Sequence, residues 1–304
     1  MVFQNITAKI APAFSELNYH CDFVEINALA RGQQGIDEDY TETLYPTKTT
    51  DELSNLFSLL ESRADWYGNS YPFDVNASEM KISLKDHIED IHKLYIFFLM
   101  CSCNTKIVRE GNILESDFEH ISTLVLKAYL PTHAQVHHFG KSSYTDDRYT
   151  GLLTNKLDTL AQDLKCQTAY VAEDFADSDT GDGGLDVLAW VPFPEDDFNF
   201  MNIQVYLGQC AIGKDWVGKQ TDVEKMKNNI HFPLGTVSVM FVPHDLRKED
   251  GFFKRNRIRT HLMFDRFRLM NLVDAETLTQ MRDFSTFNQV ISRLNFDDVD
   301  ITEV

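Results

Sequence analysis

The 304-residue sequence lacks the long uncharged apolar run that a membrane-spanning helix requires. Its most apolar stretch, 94–101, is too short to cross a bilayer and directly follows His92 and Lys93, so we expect a buried helix there. The first residues carry no basic region of the kind that opens a secretory signal peptide. We therefore expect a cytoplasmic protein that does not contact membranes.

Cysteine is too scarce and too irregularly spaced to hold the fold together. The sequence has five cysteines, none of them in a CxxC pair: Cys21, Cys101, Cys103, Cys166 and Cys210. An odd number without paired spacing fits neither a disulfide framework nor a zinc cluster. We expect reduced and buried thiols.

Several common catalytic signatures are absent too. No serine lies in a nucleophile elbow, which argues against an α/β-hydrolase. The glycine-rich stretch 181–184 lacks the lysine and serine of a phosphate-binding loop. His137 and His138 have no partner at the spacing of a metal site, so we expect them in a loop.

Positive charge is in short supply. The chain has 28 lysines and arginines against 47 aspartates and glutamates, and this net charge of −19 disfavours unaided nucleic-acid binding because phosphate repels it. The segment 247–268 is an exception and predicts a local basic face. Its basic residues are Arg247, Lys248, Lys254, Arg255, Arg257, Arg259, Arg266 and Arg268. The candidate phosphate contacts within it are Lys254, Arg255, Arg257 and Arg259.

Apolar residues make up 43% of the chain, which suffices for a real core. Apolar spacing predicts that the first third is mostly helical, with helices over about 51–60, 85–100 and 118–126. The polar stretch 133–148 indicates a connector. We place a domain boundary there, between a mostly helical regulatory or partner-docking region, 1–140, and a second domain, 141–304. The alternative is an internal loop within one large fold.

The pattern changes in the second half. A leucine at every third or fourth position over 153–164 predicts one face of a helix. Alternating or β-branched apolar residues predict strands at 185–191, 201–211 and 235–243, with a helix from about 214 between the last two. The order helix, strand, strand, helix, strand predicts an α/β fold.

Two of the predicted strands carry residues that suit metal-dependent hydrolysis of phosphodiesters. Mg²⁺ prefers carboxylates, carbonyls and waters as ligands. The reaction also needs a group that orients the attacking water and stabilises charge on the phosphate. Asp186 starts the first strand after a glycine turn, and Gln209 lies at the end of the next. Neighbouring strands bring such side chains together.

The stretch 181–187, of sequence GDGGLDV, resembles the GDGGxD loop-to-strand motif of the Mrr-like, type IV branch of the PD-(D/E)XK nucleases. In that family a helix precedes the motif, and a following strand ends in a Q-x-K or E-x-K triplet. Here Gln209 matches the triplet, and Ala211 stands where the family has lysine. The resemblance covers about residues 149–245. It implies a restriction-endonuclease-like α/β core with a central mixed sheet, preceded by the helical N-terminal region.

The resemblance also implies a metal-dependent DNA endonuclease, of the kind that serves in restriction or antiphage defence. Asp186 would bind Mg²⁺ or Mn²⁺, and Gln209 or its adjacent backbone carbonyl would complete the site. Lys214, favoured for its closeness to the strand end, or Lys219 would replace the missing lysine. The basic segment would hold the DNA backbone. Asp182 and Glu173 are further candidates that a turn or a solvated loop also explains.

The alanine at position 211 and the net charge of −19 leave a second hypothesis open. In it, the chain is a catalytically inactive nuclease fold that acts as a binding or assembly subunit of a larger complex. Under either hypothesis we expect a homo-oligomer or a protein partner, because the overall charge of the chain repels DNA.

Overall fold

The computed structural model of the chain describes residues 17–103, 106–107, 113–140, 148–176, 178–193, 203–213, 215–232, 235–248, 250, 255–282 and 299–300. The candidate residues Lys214 and Lys254 lie outside these ranges, as does the side chain of Arg255. No helix in the described part of the chain is long and apolar enough to cross a membrane. All five cysteines are free thiols; Cys21, Cys101 and Cys103 are buried as predicted, whereas Cys166 and Cys210 are only half-buried.

Helices dominate the first half of the chain, as the apolar spacing predicts. In chain order the helices are α1 (Leu17–Arg31), α2 (Glu38–Leu44), α3 (Thr50–Tyr67), α4 (Asp90–Ser102), α5 (Ile113–Tyr129), α6 (Leu153–Asp163), α7 (Trp216–Lys219), α8 (Arg266–Leu272) and α9 (Ala275–Arg282). A capping box of Thr49 and Glu52 fixes the start of α3. Helix α4 begins at Asp90, later than the predicted position 85. At this start of the helix, the His92 ring accepts a hydrogen bond from the Glu89 backbone N–H at 3.0 Å.

Within the described ranges, the strands form one central sheet and three small pairs. In chain order they are β1 (Phe73–Asn76), β2 (Lys81–Leu84), β3 (Lys106–Ile107), β4 (Gln135–His138), β5 (Gln167–Thr168), β6 (Val187–Val191), β7 (Gln204–Cys210), β8 (Ile230–His231), β9 (Val237–Phe241), β10 (Leu262–Phe264) and β11 (Val299–Asp300). The central sheet has five strands in the order β10-β9-β7-β6-β4. Strands β4, β6 and β7 are antiparallel neighbours, whereas β7, β9 and β10 run parallel. The prediction of an α/β fold with a mixed central sheet is confirmed.

The stretch 133–148, predicted to be a connector, contains strand β4. This strand pairs antiparallel with β6, and His138 lies opposite Val187. The ring of His137 stacks on Trp190, with 5.1 Å between the centroids. Strand β4 lies at one edge of the sheet, where polar side chains are common. The expectation that both histidines lie in a loop is therefore wrong.

Helices cover both faces of the central sheet. On one face, Val187 and Phe241 belong to the main core, which they share with α1, α3, α4 and α5. On the other face, Leu188 and Leu207 pack with Leu157 of α6. Strand β4 precedes position 140 and its partner β6 follows it. The main core and the sheet thus cross the predicted domain boundary, and the described residues form one large fold there.

Two arginines without exposed surface tie the N-terminal helices to the end of the sheet. Arg63 of α3 lies 2.7 Å from Asp22 and 2.8 Å from Glu25, both on α1. Arg266, the first residue of α8, contacts the same carboxylates at 2.8 and 3.4 Å. The Tyr95 hydroxyl of α4 donates a hydrogen bond to Glu25. We call this set the buried charge network; it joins helices from both halves of the chain.

The basic surface predicted for residues 247–268 is smaller in the structure, because part of its charge belongs to the buried charge network. Arg266 is wholly buried, so it adds nothing to the surface charge of that segment. Arg247 is partly buried as well; its guanidinium lies over the Phe267 ring and 3.9 Å from Asp265. The exposed basic face is therefore smaller than the count of charged residues suggests.

Arg266→Met is expected to destabilise the protein by about 3–5 kcal/mol, because it leaves buried carboxylates without one of their arginines. Urea unfolding followed by circular dichroism measures the free energy. Arg268→Met is the matched control, since Arg268 lies on the same helix with an exposed side chain, and its expected cost is about 1 kcal/mol or less. Similar losses in the two variants would contradict the role given to the network.

Candidate functional site

The backbone of Asp186 is held where the ends of three strands meet. Asp186 directly precedes β6, and its N–H donates to the Gly208 carbonyl of β7 at 2.9 Å. Its own carbonyl accepts hydrogen bonds from the N–H groups of Phe139 and Gly140, just after β4, at 2.7 and 3.2 Å. The residue is therefore fixed from both sides along the sheet.

The side chain of Asp186 meets Gln209, the residue with which the motif pairs it. Gln209 Nε2 donates to Asp186 Oδ2 at 2.6 Å, and the Cys210 N–H donates to the same oxygen at 2.7 Å. Gly208 permits this approach: a Cβ atom there would lie 3.1 Å from both Cβ and the carbonyl oxygen of Val187, closer than ordinary contact. The glycine thus lets the strands bring the two candidate ligands side by side.

Gln209 also carries a buried acceptor that lacks a partner among the described residues. The residue is 8% exposed, and no donor among the described residues reaches its Oε1. An unsatisfied buried acceptor costs about 1–3 kcal/mol. Because Gln209 lines an open cleft, a ligand bound in that cleft would satisfy the oxygen.

The cleft has a volume of about 370 Å³ and a strongly acidic lining. Its carboxyl groups are those of Glu115, Glu119, Asp182, Asp186 and Asp215. Lys219, at the end of α7, brings a positive charge to the same cleft. Among the described lining residues, five carboxyl groups therefore share the cleft with one lysine.

Burial and crowding make two of these carboxyl groups, those of Asp186 and Glu119, hard to ionise. Burial, reinforced by the charges of Glu119 and Asp182, raises the pKa of Asp186 well above its usual range. Burial also raises the pKa of Glu119 to about 8, and Asp182 and Glu115 add to this rise. Like charges that share a buried site favour the neutral form. A divalent cation in the cleft would reverse this preference and stabilise the carboxylates.

Glu119 is a cleft residue that the sequence patterns did not reveal. It lies on α5, in the region expected to regulate or dock, and its Oε2 is 2.9 Å from His138 Nε2. Gly140 makes room for this pair, because a Cβ atom there would lie 2.5 Å from Glu119 Oε2. The available sequence signal was that Glu115 and Glu119 lie one helical turn apart beside the buried Phe118.

Of the two candidate replacement lysines, Lys219 is the one that the structure describes. It lines the cleft, and its charge partly offsets the rise that burial causes in the pKa of Asp186. Ala211, at the lysine position of the triplet, is buried and lines the same cleft. The fold thus brings a lysine from α7 to the cleft that Ala211 also lines. Lys214 lies outside the described residues.

Asp182 and Glu173 differ in their placement. Asp182 lines the cleft, and its Oδ1 also accepts a hydrogen bond from the Gly184 N–H at 2.7 Å. The turn after Asp182 requires glycine, since Gly183 and Gly184 have φ angles of +62° and +84°. Glu173 is exposed in a short 3-10 helix, 172–174, and does not line the cleft.

The described part of the basic segment is attached to the end of α7. The buried Gln220 follows Lys219 and donates from Nε2 to the Arg257 carbonyl at 2.8 Å. Its Oε1 accepts from the Arg259 N–H at 2.7 Å. The side chains of Arg257 and Arg259 are exposed. Two exposed arginines therefore lie on a loop that is fixed to the helix carrying the cleft lysine.

The donors in the cleft fit a hard divalent cation. Mg²⁺ takes carboxylate and amide oxygens, and the cleft offers Asp186 together with the Gln209 Oε1 that no described donor reaches. Glu119 and Asp182 are further carboxylates in the same cleft. Within the described ranges, no three His, Cys, Asp or Glu side chains meet closely enough to form a metal site by themselves. Asp186 and Gln209 are the residues that would hold the ion.

Neither a protein-family model nor a curated protein nor a solved structure matches this chain. Its function is therefore inferred from the cleft itself, where Asp186 and Gln209 meet among carboxylates.

Proposed function

We propose that the chain is a metal-dependent DNA endonuclease with a restriction-endonuclease-like core. One observation carries the proposal: Asp186 and Gln209 meet across neighbouring antiparallel strands, and the described residues leave Gln209 Oε1 without a partner at an acidic cleft. A carboxylate at the start of one strand and a polar ligand on the next are what the motif resemblance implies. The mixed central sheet supports the same assignment.

Five of the cleft residues have a part in the proposed reaction. Asp186 and Gln209 would hold Mg²⁺ or Mn²⁺, which supplies Lewis acidity and lowers the pKa of water when bound. Lys219 would stabilise the negative charge that develops on the phosphate. Asp182 would add negative charge to the cleft, and Glu119 would add more once a bound cation has favoured its ionised form, so both would help to retain the cation.

The basic segment would supply the contacts to the DNA backbone. Arg257 and Arg259 are exposed beside α7, and Lys254 and Arg255 precede them in the sequence. The net charge of −19 opposes this binding over long range. We therefore propose that the enzyme works as a homo-oligomer or with a protein partner that adds positive charge. The proposed setting, restriction or antiphage defence, comes from the motif resemblance.

A second candidate function is a catalytically inactive subunit with the same fold. The observation that favours it is Ala211, which is buried at the cleft where the related triplet has lysine. Such a subunit would still bind a divalent cation through Asp186 and Gln209, but it would not cleave DNA. Cation binding and cleavage must therefore be measured separately.

Asp186→Asn is expected to abolish both Mn²⁺ binding and cleavage, because the amide keeps the shape of the side chain but removes its charge. We expect losses beyond the roughly 10–100-fold that a residue supporting a metal ligand costs. Calorimetric titration with Mn²⁺ measures binding, and plasmid and linear DNA with Mg²⁺ or Mn²⁺ measure cleavage. Asp158→Asn, at an exposed position on α6, is the control.

The wild-type protein decides between the two candidate functions in the same experiment. Mn²⁺ binding with cleavage supports the nuclease. Mn²⁺ binding without cleavage of either DNA form supports the inactive subunit. If Asp186→Asn binds and cleaves as the wild type does, the site is assigned wrongly.

Lys219→Met is expected to slow cleavage by about 100-fold while Mn²⁺ affinity stays within about threefold, because one charge that stabilises the transition state is lost. Single-turnover rates with saturating Mn²⁺ test this. Lys227→Met removes an exposed lysine from the 3-10 helix that follows α7 and serves as the control. Normal cleavage by Lys219→Met would leave Lys214 as the lysine of the proposed mechanism.

Replacing Arg257 and Arg259 by glutamine is expected to weaken DNA binding and to flatten its salt dependence. Two lost phosphate contacts would reduce the slope of log affinity against log salt by about 2. Fluorescence anisotropy with a labelled duplex at several salt concentrations gives the slope. The double variant Lys81→Gln/Lys165→Gln removes the same charge from other exposed positions. An equal change in this control would assign the effect to overall charge.

A further inference from the structure

Lys156 of α6 is a buried lysine behind the cleft. The residue is 3% exposed. Its Nζ lies 3.3 Å from the Phe139 carbonyl, 3.5 Å from the Gly140 carbonyl and 3.3 Å from the Gly181 carbonyl. An ammonium group has three N–H donors, and three backbone carbonyls surround this one. Lys156 therefore acts on the backbone around it, unlike Lys219, which lines the cleft.

The three carbonyls belong to two loops that border the cleft. Phe139 and Gly140 follow β4, and their N–H groups donate to the Asp186 carbonyl. Gly140 also lies close to Glu119, because a Cβ atom at position 140 would lie only 2.5 Å from Glu119 Oε2. Gly181 directly precedes Asp182, which lines the cleft. One ammonium group thus joins the segments that border three cleft carboxylates.

Charge links Lys156 to the cleft as well. Moving an ammonium group out of water costs several kcal/mol unless nearby groups compensate it. The carbonyl dipoles provide part of this compensation. The acidic cleft provides more, since the charge of Lys156 attracts the Glu119 carboxylate and opposes the rise that burial causes in its pKa. The lysine and the carboxylates therefore stabilise one another.

We propose that Lys156 is a positioning residue for the cation site, which ties the loop after β4 to the turn at Gly181 and so fixes Asp182, Asp186 and Glu119 around the cleft. This inference rests on the proposed function, because it assumes that the cleft binds a divalent cation. Lys156 does not contact the substrate in this proposal. Its effect on the cation comes through the backbone it holds and through its charge.

Three variants separate this role from simple packing. Lys156→Met keeps the length and shape of the side chain but removes the charge and the donors. Lys156→Arg keeps the charge and the donors but is larger. Lys165→Met, just after α6 and exposed, removes one positive charge from the surface and serves as the control. If packing alone mattered, methionine would be tolerated better than arginine.

The experiment is calorimetric titration of each full-length variant with Mn²⁺ alone, after thermal melting has shown which variants are folded. Lys156→Met is expected to weaken Mn²⁺ binding by roughly 10–100-fold, the range for a residue that supports a metal ligand. Lys156→Arg is expected to recover at least about half of that loss on the free-energy scale, and Lys165→Met to bind as the wild type does. If Lys156→Met does not fold, Lys156→Gln replaces it with the same expectation.

Two outcomes would overturn the inference, and they differ from failure of the proposed function. Wild-type affinity in Lys156→Met or Lys156→Gln shows that the lysine does not position the site. An equal or greater loss in Lys156→Arg shows that only packing matters there. If the wild-type protein itself binds no Mn²⁺, the cation site of the proposed function fails, and the role given to Lys156 fails with it.

Discussion

The pairing of buried arginines with buried carboxylates is the interaction on which this fold depends. Arg63 and Arg266 have no exposed surface, and both pair with carboxylates of α1 where α1, α3 and α8 come together. The network also reaches the cleft. The Ser102 hydroxyl donates a hydrogen bond to Asp22 of the network and lies 2.7 Å from His244 Nδ1. On its other side, His244 Nε2 lies 3.4 Å from the carbonyl of Gly213, which lines the cleft. The N-terminal helices are therefore part of the framework of the candidate site.

The excess of negative charge in the cleft suggests an order in which a cation and DNA bind. Its lining holds more carboxyl groups than cationic groups among the described residues, and the whole chain is negative. A phosphate would be repelled from such a surface. On the proposed function, a divalent cation binds before DNA, because it favours the ionised forms of Asp186 and Glu119 and offers a phosphate oxygen a local positive charge within the acidic cleft. The exposed arginines beside α7 would then hold the DNA backbone next to that cation.

The sequence predicts those parts of the fold that follow from local pattern. Helix α6 and strands β6, β7 and β9 were predicted correctly because apolar periodicity and β-branched residues are local signals. Asp186 and Gln209 were paired correctly in space because a glycine turn and a following strand constrain both. His138 was misplaced, since a short edge strand has no alternating pattern to recognise. Glu119 was missed, and Arg266 was wrongly assigned to the surface. Both errors have the same cause, because the burial of a charged residue depends on partners that are distant in the sequence.

The hydrogen bond between Arg266 and Asp22 spans 244 positions of the chain. A ribosome adds about 5–20 residues each second, so the carboxylates of α1 are made roughly 10–50 s before the arginine that neutralises them. Until then the carboxylates of α1 lack the positive charge of Arg266. The chain of contacts from Arg266 through Asp22, Ser102 and His244 to Gly213 is also incomplete. We therefore expect the cleft to take its final shape only after Arg266 has been made. On the proposed function, this order of synthesis would keep the nascent protein inactive on DNA until Arg266 has been made.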